Sequence, residues 1–151
     1  RDDLRKIVRA GIQAPSACNE QVAQFVIVDD PTTLKQIARI VNRPVCETAP
    51  TMIVCLTDNR PVFKDIAFPA EDCAAAVENM LLAITAMGYA SVWLDGVLRI
   101  GDIARQIGRL LGVPDELEIR ILLPVGVPAE PGVQREKLPF ERRAWFDRYG
   151  G

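Results

Sequence analysis

The sequence predicts a mixed α and β fold, and three observations carry that prediction. Four apolar runs of strand length are spaced along the chain. Each is preceded by a helical repeat in which apolar residues recur at intervals of three and four. Neither a G-x-G-x-x-G nor a P-loop comes after any of the runs. The first two observations admit a doubly wound parallel sheet or an α+β sandwich. The third removes the usual signature of the former.

Leu4, Ile7, Val8 and Gly11 share one face of a first helix, which Ala14-Pro15 ends because a residue before proline leaves the helical region. Gln24 to Val28 reads as a strand. Thr32 or Thr33 is expected to cap the next helix, whose apolar face is Leu34, Ile37, Ala38 and Val41. Pro44 to Pro50 reads as a loop. Met52 to Leu56 is a continuous apolar run, as a central strand requires. A loop from Asn59 to Pro69 leads to a helix from Asp72 to Met87. That helix is apolar nearly all round and so is expected to be buried on most sides, its alanines suiting close approach of another helix, in this chain or a second. Ala90 to Leu94 reads as a strand entering Asp95-Gly96. The stripe Ile100, Ile103, Ala104, Ile107, Leu110 and Leu111 marks a helix stopped by Gly112-Val113-Pro114, and Glu118 to Gly126 is the fourth strand. We read residues 1–151 as one domain. Its extended tail, 127–151, is aromatic enough to be expected to cover a surface.

Composition narrows the function. Of 151 residues, 49% are hydrophobic and 25% charged, ordinary for a globular protein with a core. A net charge of −2 argues against a nucleic-acid binder with a basic face. The chain contains no His, which removes His-dependent nucleophilic mechanisms and imidazole metal sites. Its four Cys form no C-x-x-C pair, so a metal knuckle is unsupported, and reduced, mostly buried thiols in a cytoplasmic protein are expected. The longest apolar stretch, Cys73 to Met87, is interrupted by Glu78 and Asn79, which makes it a poor membrane span. No signal peptide, metal, nucleic-acid partner or membrane partner is expected.

Three constellations could carry chemistry. Ala14 to Gln21 packs Ser16, Asn19 and Gln21 into one connection. Their donor and acceptor atoms suit a heterocycle with alternating N–H and C=O edges, or, more plainly, a solvated turn that bonds its own backbone. Gly96, just past a strand, lets a ligand approach the main chain, although Asp-Gly is a common turn pair. Arg135 and Lys137 alternate along an extended segment and can face one anion, or stand as two solvated charges.

Together the blocks resemble the FMN-dependent nitroreductase family over nearly the whole chain. A-P-S-A-C-N-E-Q leading into FVIV is similar to the family's A-P-S-x-x-N-x-Q-x-W-x-F. D-C-A-A-A-V-E-N-M-L-L-A-I-T-A-M-G-Y-A-S-V-W-L-D-G is similar to D-x-x-A-A-x-x-N-x-x-L-A-A-x-x-x-G-x-G-S-x-W-x-x-G. L-L-P-V-G-V-P, with R-E-K-L-P-F-E after it, is similar to the family's P-x-G-x-P strand and basic tail. The resemblance implies an α+β sandwich, with a mixed or antiparallel central sheet flanked by helices, built as an intertwined homodimer with an FMN in each of two sites between the chains. It implies that Pro15, Ser16, Ala17, Asn19 and Gln21 line the flavin. Leu94, Asp95 and Gly96 would lie by the isoalloxazine with an N–H near N5, and Arg135 and Lys137 would meet the phosphate.

On the same grounds NADH or NADPH is the expected hydride donor, and a nitroaromatic, quinone or similar small molecule the acceptor. The flavin carries the chemistry, so no catalytic side chain is assigned. A cation near N1 and O2 would stabilise reduced flavin, with Arg60 and Lys64 the candidates. Three departures from the pattern stand out. The family's R-R-S-x-R block has no counterpart here, since Arg1-Asp2-Asp3-Leu4 aligns with family residues downstream of that block. Either the block lies outside this sequence or binding leans on the tail. Val22 and Ala23 replace a Pro and aromatic pair. The segment between Leu56 and Asp72 is short. Other FMN chemistry on the same fold, a non-catalytic flavin carrier and an interaction domain are the alternatives.

Overall fold

The computed structural model describes residues 1–150; Gly151, the last residue of the expected tail, lies outside it. Four strands form one sheet in the order β1-β2-β4-β3: β1 (Ala23–Val28), β2 (Thr51–Thr57), β3 (Ala90–Ser91) and β4 (Glu118–Gly126). Every pairing is antiparallel, so the parallel alternative is excluded and the sandwich stands. The helices are α1 (Asp2–Ile12), α2 (Pro31–Val41), α3 (Pro44–Thr48), α4 (Pro69–Ala86) and α5 (Ile103–Leu111).

β2 explains the layering. All seven of its residues are buried, and alternation sends them to opposite faces. Met52, Val54 and Leu56 join Leu34, Ile37, Val41 and Ile107 under α2, α3 and α5. Ile53 and Cys55 join Ile7, Val77, Met80 and Ile84 under α1 and α4. β4 serves both layers through a bulge. Cys55 pairs with Ile121 and Leu56 with Ile119, so Arg120 is an extra residue. Ile119 therefore faces the α2–α5 layer, while Ile121, two residues on, faces α1 and α4.

α1 and α4 approach closely at Gly11. A Cβ there would stand 2.8 Å from Met80 Cγ and 3.2 Å from the Ala76 carbonyl oxygen, a separation only glycine allows. The expected burial of α4 holds on the face carrying Cys73, Ala76, Val77, Met80 and Ile84, whereas Leu82 is exposed.

Four sequence expectations need correction. Pro44 to Thr48 is a short helix rather than loop, because proline at its first position needs no N–H partner. Asp30, not Thr32 or Thr33, caps α2: its carboxylate accepts from the Thr33 N–H at 2.8 Å, with Pro31 next in line. The third strand is two residues long, its ladder resuming only as a Leu94–Leu122 bridge. Ile100 lies outside α5 and is exposed, because a 3₁₀ turn at Gly96–Arg99 comes first.

In the tail, residues 127–139 hold no helix or strand, and Val127, Val133, Leu138, Phe140, Phe146 and Tyr149 are exposed. Trp145 and Tyr149 pack on each other, ring centroids 4.3 Å apart. No helix among the described residues is long and apolar enough to cross a membrane.

Candidate functional site

The connection from α1 to β1 is a tightly held loop. Ala17–Asn19 forms a single 3₁₀ turn, and Cys18, Asn19 and Gln21 all have φ between 50° and 58°. Three non-glycine residues in the left-handed region so close together are strained and persist only where surroundings hold them. The holding contacts are explicit. The Ala17 N–H donates to Asp72 Oδ1 at 2.9 Å, the Gln21 N–H to Ser16 Oγ at 3.1 Å, and Gln21 Nε2 to the Asn19 carbonyl at 3.2 Å. Arg60 Nη2 donates to the Glu20 carbonyl at 2.8 Å and reaches Glu20 Oε2 at 3.2 Å.

This arrangement divides the sequence-predicted residues by role. Ser16 is engaged by its own loop, as the plainer reading holds. Pro15, Asn19 and Gln21 are exposed and Ala17 half-buried. The exposed Asn19 side-chain amide makes no hydrogen bond among the described residues, while its backbone is fixed by the loop. Arg60 braces the loop through Glu20, with Asp58 at 3.7 Å, while Lys64 sits 5.6 Å from the Phe63 ring.

Asp72 is the residue that sequence reasoning missed. It is 5% exposed, and its Oδ2 is buried without a hydrogen-bond partner among the described residues. Its sequence signal is a lone carboxylate on the inward side of an otherwise apolar helix, a position carboxylates rarely occupy unless paired. It lines a cavity of about 230 Å³ together with Pro15, Ser16, Gln21, Phe25 and Ala76.

Leu94, Asp95 and Gly96 form a second cluster. Leu94 bridges Leu122, and the chain then turns into Gly96–Arg99. The Asp95 carboxylate is clamped by Arg99, Nε at 2.6 Å and Nη2 at 2.7 Å, which raises the guanidinium pKa above its ordinary value. A Cβ built on Gly96 meets nothing within 4 Å. The opening N–H groups of such a turn have no acceptor within it. Here a strip of main chain is open to an approaching group.

Arg135 and Lys137 are exposed and make no ion pair among the described residues. The structure therefore does not gather all ten candidates into one pocket. The loop enters β1 at one edge of the sheet, and Leu94–Gly96 comes after the strand at the other. Both lie toward the end marked by Ala23, Thr57 and Glu118. Three strand spacings, roughly 14 Å, separate the two edges.

Known proteins share this framework. The sequence model of the nitroreductase family matches residues 39–127. A relative from Archaeoglobus fulgidus, named as an NADH dehydrogenase/NAD(P)H nitroreductase, is 32% identical over 130 residues, covering 85% of this chain and 74% of its own. An NADPH-flavin oxidoreductase from Vibrio harveyi is 27% identical over 151 residues, 91% of this chain and 62% of its own. The crystal structure of a Bacteroides thetaiotaomicron protein, named like the first relative, superposes with a TM-score of 0.85 at 25% identity over 99% of this chain and 86% of its own. With more than half its length matched by the family and a close counterpart across most of both chains, this protein belongs to the nitroreductase family.

Proposed function

We propose that the protein is an FMN-dependent oxidoreductase. It would pass a hydride from NADH or NADPH, by way of flavin N5, to a nitroaromatic, quinone or similar small acceptor. The observation that carries this reading is the exposed main chain at Gly96, where nothing lies within 4 Å of the position a Cβ on Gly96 would take and the opening N–H groups of the turn have no acceptor within it. The remaining donors fit the same cofactor. The Asn19 amide is free for a pyrimidine edge, and Arg135 and Lys137 are free for a phosphate. The relatives' names, an NAD(P)H nitroreductase and an NADPH-flavin oxidoreductase, agree with it.

When bound, FMN supplies the two-electron carrier, and the protein supplies position and field. The Asp95–Gly96 main chain would direct an N–H at N5, with Arg99 holding Asp95 still. The 15–21 loop, braced by Asp72 and Arg60, would present its amides to the pyrimidine ring without reorganising. No side chain need move a proton. The two clusters sit on opposite edges of the sheet, which supports a homodimer whose sites each take the loop of one copy and Leu94–Gly96 of the other. The exposed tail aromatics and Leu82 are surfaces that a second copy would cover. Four free thiols suit the reducing cytoplasm.

The test is the visible spectrum of purified protein after incubation with FMN and removal of the excess. Retained flavin absorbance that bleaches with NADH or NADPH and returns with a quinone supports the reading. Protein that stays colourless overturns it. Bound flavin that neither nicotinamide reduces points to a carrier instead.

A further inference from the structure

Behind the site loop lies a feature that flavin chemistry does not use. Cys55, in the middle of β2, and Cys73, in the second turn of α4, place their Sγ atoms 3.3 Å apart, and both residues are 0% exposed. We propose that Cys55 and Cys73 form a peroxide-reactive dithiol that closes to an intrachain disulfide beneath the loop. A disulfide needs an S–S distance of about 2.05 Å, so closure asks for about 1.3 Å of sulfur movement between two packed elements.

The pair is chemically asymmetric. Cys55 donates its S–H toward Cys73, which draws the Cys73 thiol below its ordinary value against the opposing effects of burial and of the Asp72 carboxylate; the Thr57 hydroxyl and the Arg120 charge act with Cys55. The shared proton and burial drive Cys55 well above its own. Cys73 is thus the sulfur that attacks and Cys55 the one that resolves. The other cysteines lack this arrangement. Cys46 is buried without a sulfur neighbour and is pushed up by burial, and Cys18 stands alone at the surface.

An oxidant must be small and uncharged to reach this position, and hydrogen peroxide is both. The 230 Å³ cavity beside the loop counts Asp72, the chain neighbour of Cys73, among its lining residues. Cys73 sulfur attacks one peroxide oxygen and gives up its proton, the O–O bond breaks, and the departing hydroxide takes that proton as water, leaving a sulfenic acid. Cys55 sulfur then attacks the sulfenyl sulfur. The S–S bond forms as the S–O bond breaks, and the departing hydroxide takes the Cys55 proton as water. Two thiols and one peroxide become one disulfide and two waters. The new bond would tie β2 to the turn of α4 whose Asp72 holds the Ala17 N–H, so closure would lock the loop's support in place.

The experiment reads thiols alone and is independent of flavin binding. Full-length protein carrying Cys18→Ser, which removes only the exposed thiol, is treated with a small excess of hydrogen peroxide, denatured and alkylated with N-ethylmaleimide. The expected result is loss of two alkylatable thiols, a peptide map joining Cys55 to Cys73, and full recovery with dithiothreitol. Retention of all the remaining thiols, or oxygen added at Cys73 with Cys55 still free, overturns the proposal.

Discussion

The 15–21 loop and the 127–139 segment both offer polar groups to the proposed cofactor, and they could hardly be held more differently. The loop carries three strained residues, yet contacts from α4, from Arg60 and from its own Ser16 fix it. The tail segment has no regular structure, and its two cations make no ion pair among the described residues. The loop, one half of the proposed site, is organised before anything binds. The other, on the proposed reading, would be fixed chiefly by the phosphate it meets and would pay its ordering entropy at that moment.

The largest effect that sharpens this contrast comes from the tail. Replacing Arg135 and Lys137 together with Ala should leave the melting temperature of cofactor-free protein unchanged. FMN affinity should fall by roughly ten- to a hundredfold for each side chain lost, as charge-assisted bonds to a phosphate would. Equal dissociation constants for variant and parent, titrated at one ionic strength, would show the tail to be solvated charge and break the comparison.

Asp72→Ala tests the other half. It leaves the half-buried Ala17 N–H without its partner and should cost about 1–3 kcal/mol, read as a melting temperature several degrees lower before any flavin is added. Asp72→Asn keeps an acceptor for that N–H and should recover most of the loss. A thermal scan in which Ala and Asn behave alike would mean the loop is held by its own turn rather than by α4.

Arg60→Ala should do least. Its guanidinium is about half exposed and its partners lie at the surface, so the loss should stay below about 1 kcal/mol. Flavin affinity should change by no more than a few-fold. A loss as large as that of Asp72→Ala would place the main brace on the solvent side.

Much of this architecture is legible in the residues. Glu118 to Gly126 reads as a strand and is one with the same bounds, because a long apolar run leaves little alternative. Ile7, Val8 and Gly11 face the core as their spacing requires. The features that escape a sequence reading depend on partners distant along the chain or on one residue serving two roles. Pro44 reads as a breaker although it opens α3. Val92 and Trp93 have strand character but leave the ladder. The loop's composition marks it as unusual, while its brace comes from Asp72, 55 positions on. No spacing rule brings Cys55 on a strand beside Cys73 on a helix; only the packing of α4 on β2 does.

The separation of the two clusters across the sheet has a consequence in genetics. If each site borrows its loop from one copy and its Gly96 from the other, two different defects can cancel. Consider a mixed dimer in which one chain carries Asn19→Ala and the other Gly96→Val. One of its sites inherits both changes and the other inherits neither. Two inactive proteins, co-expressed, would then complement each other and restore up to half the normal number of working sites in the mixed dimers. Sites assembled within single chains would each keep one defect, and no such rescue would occur.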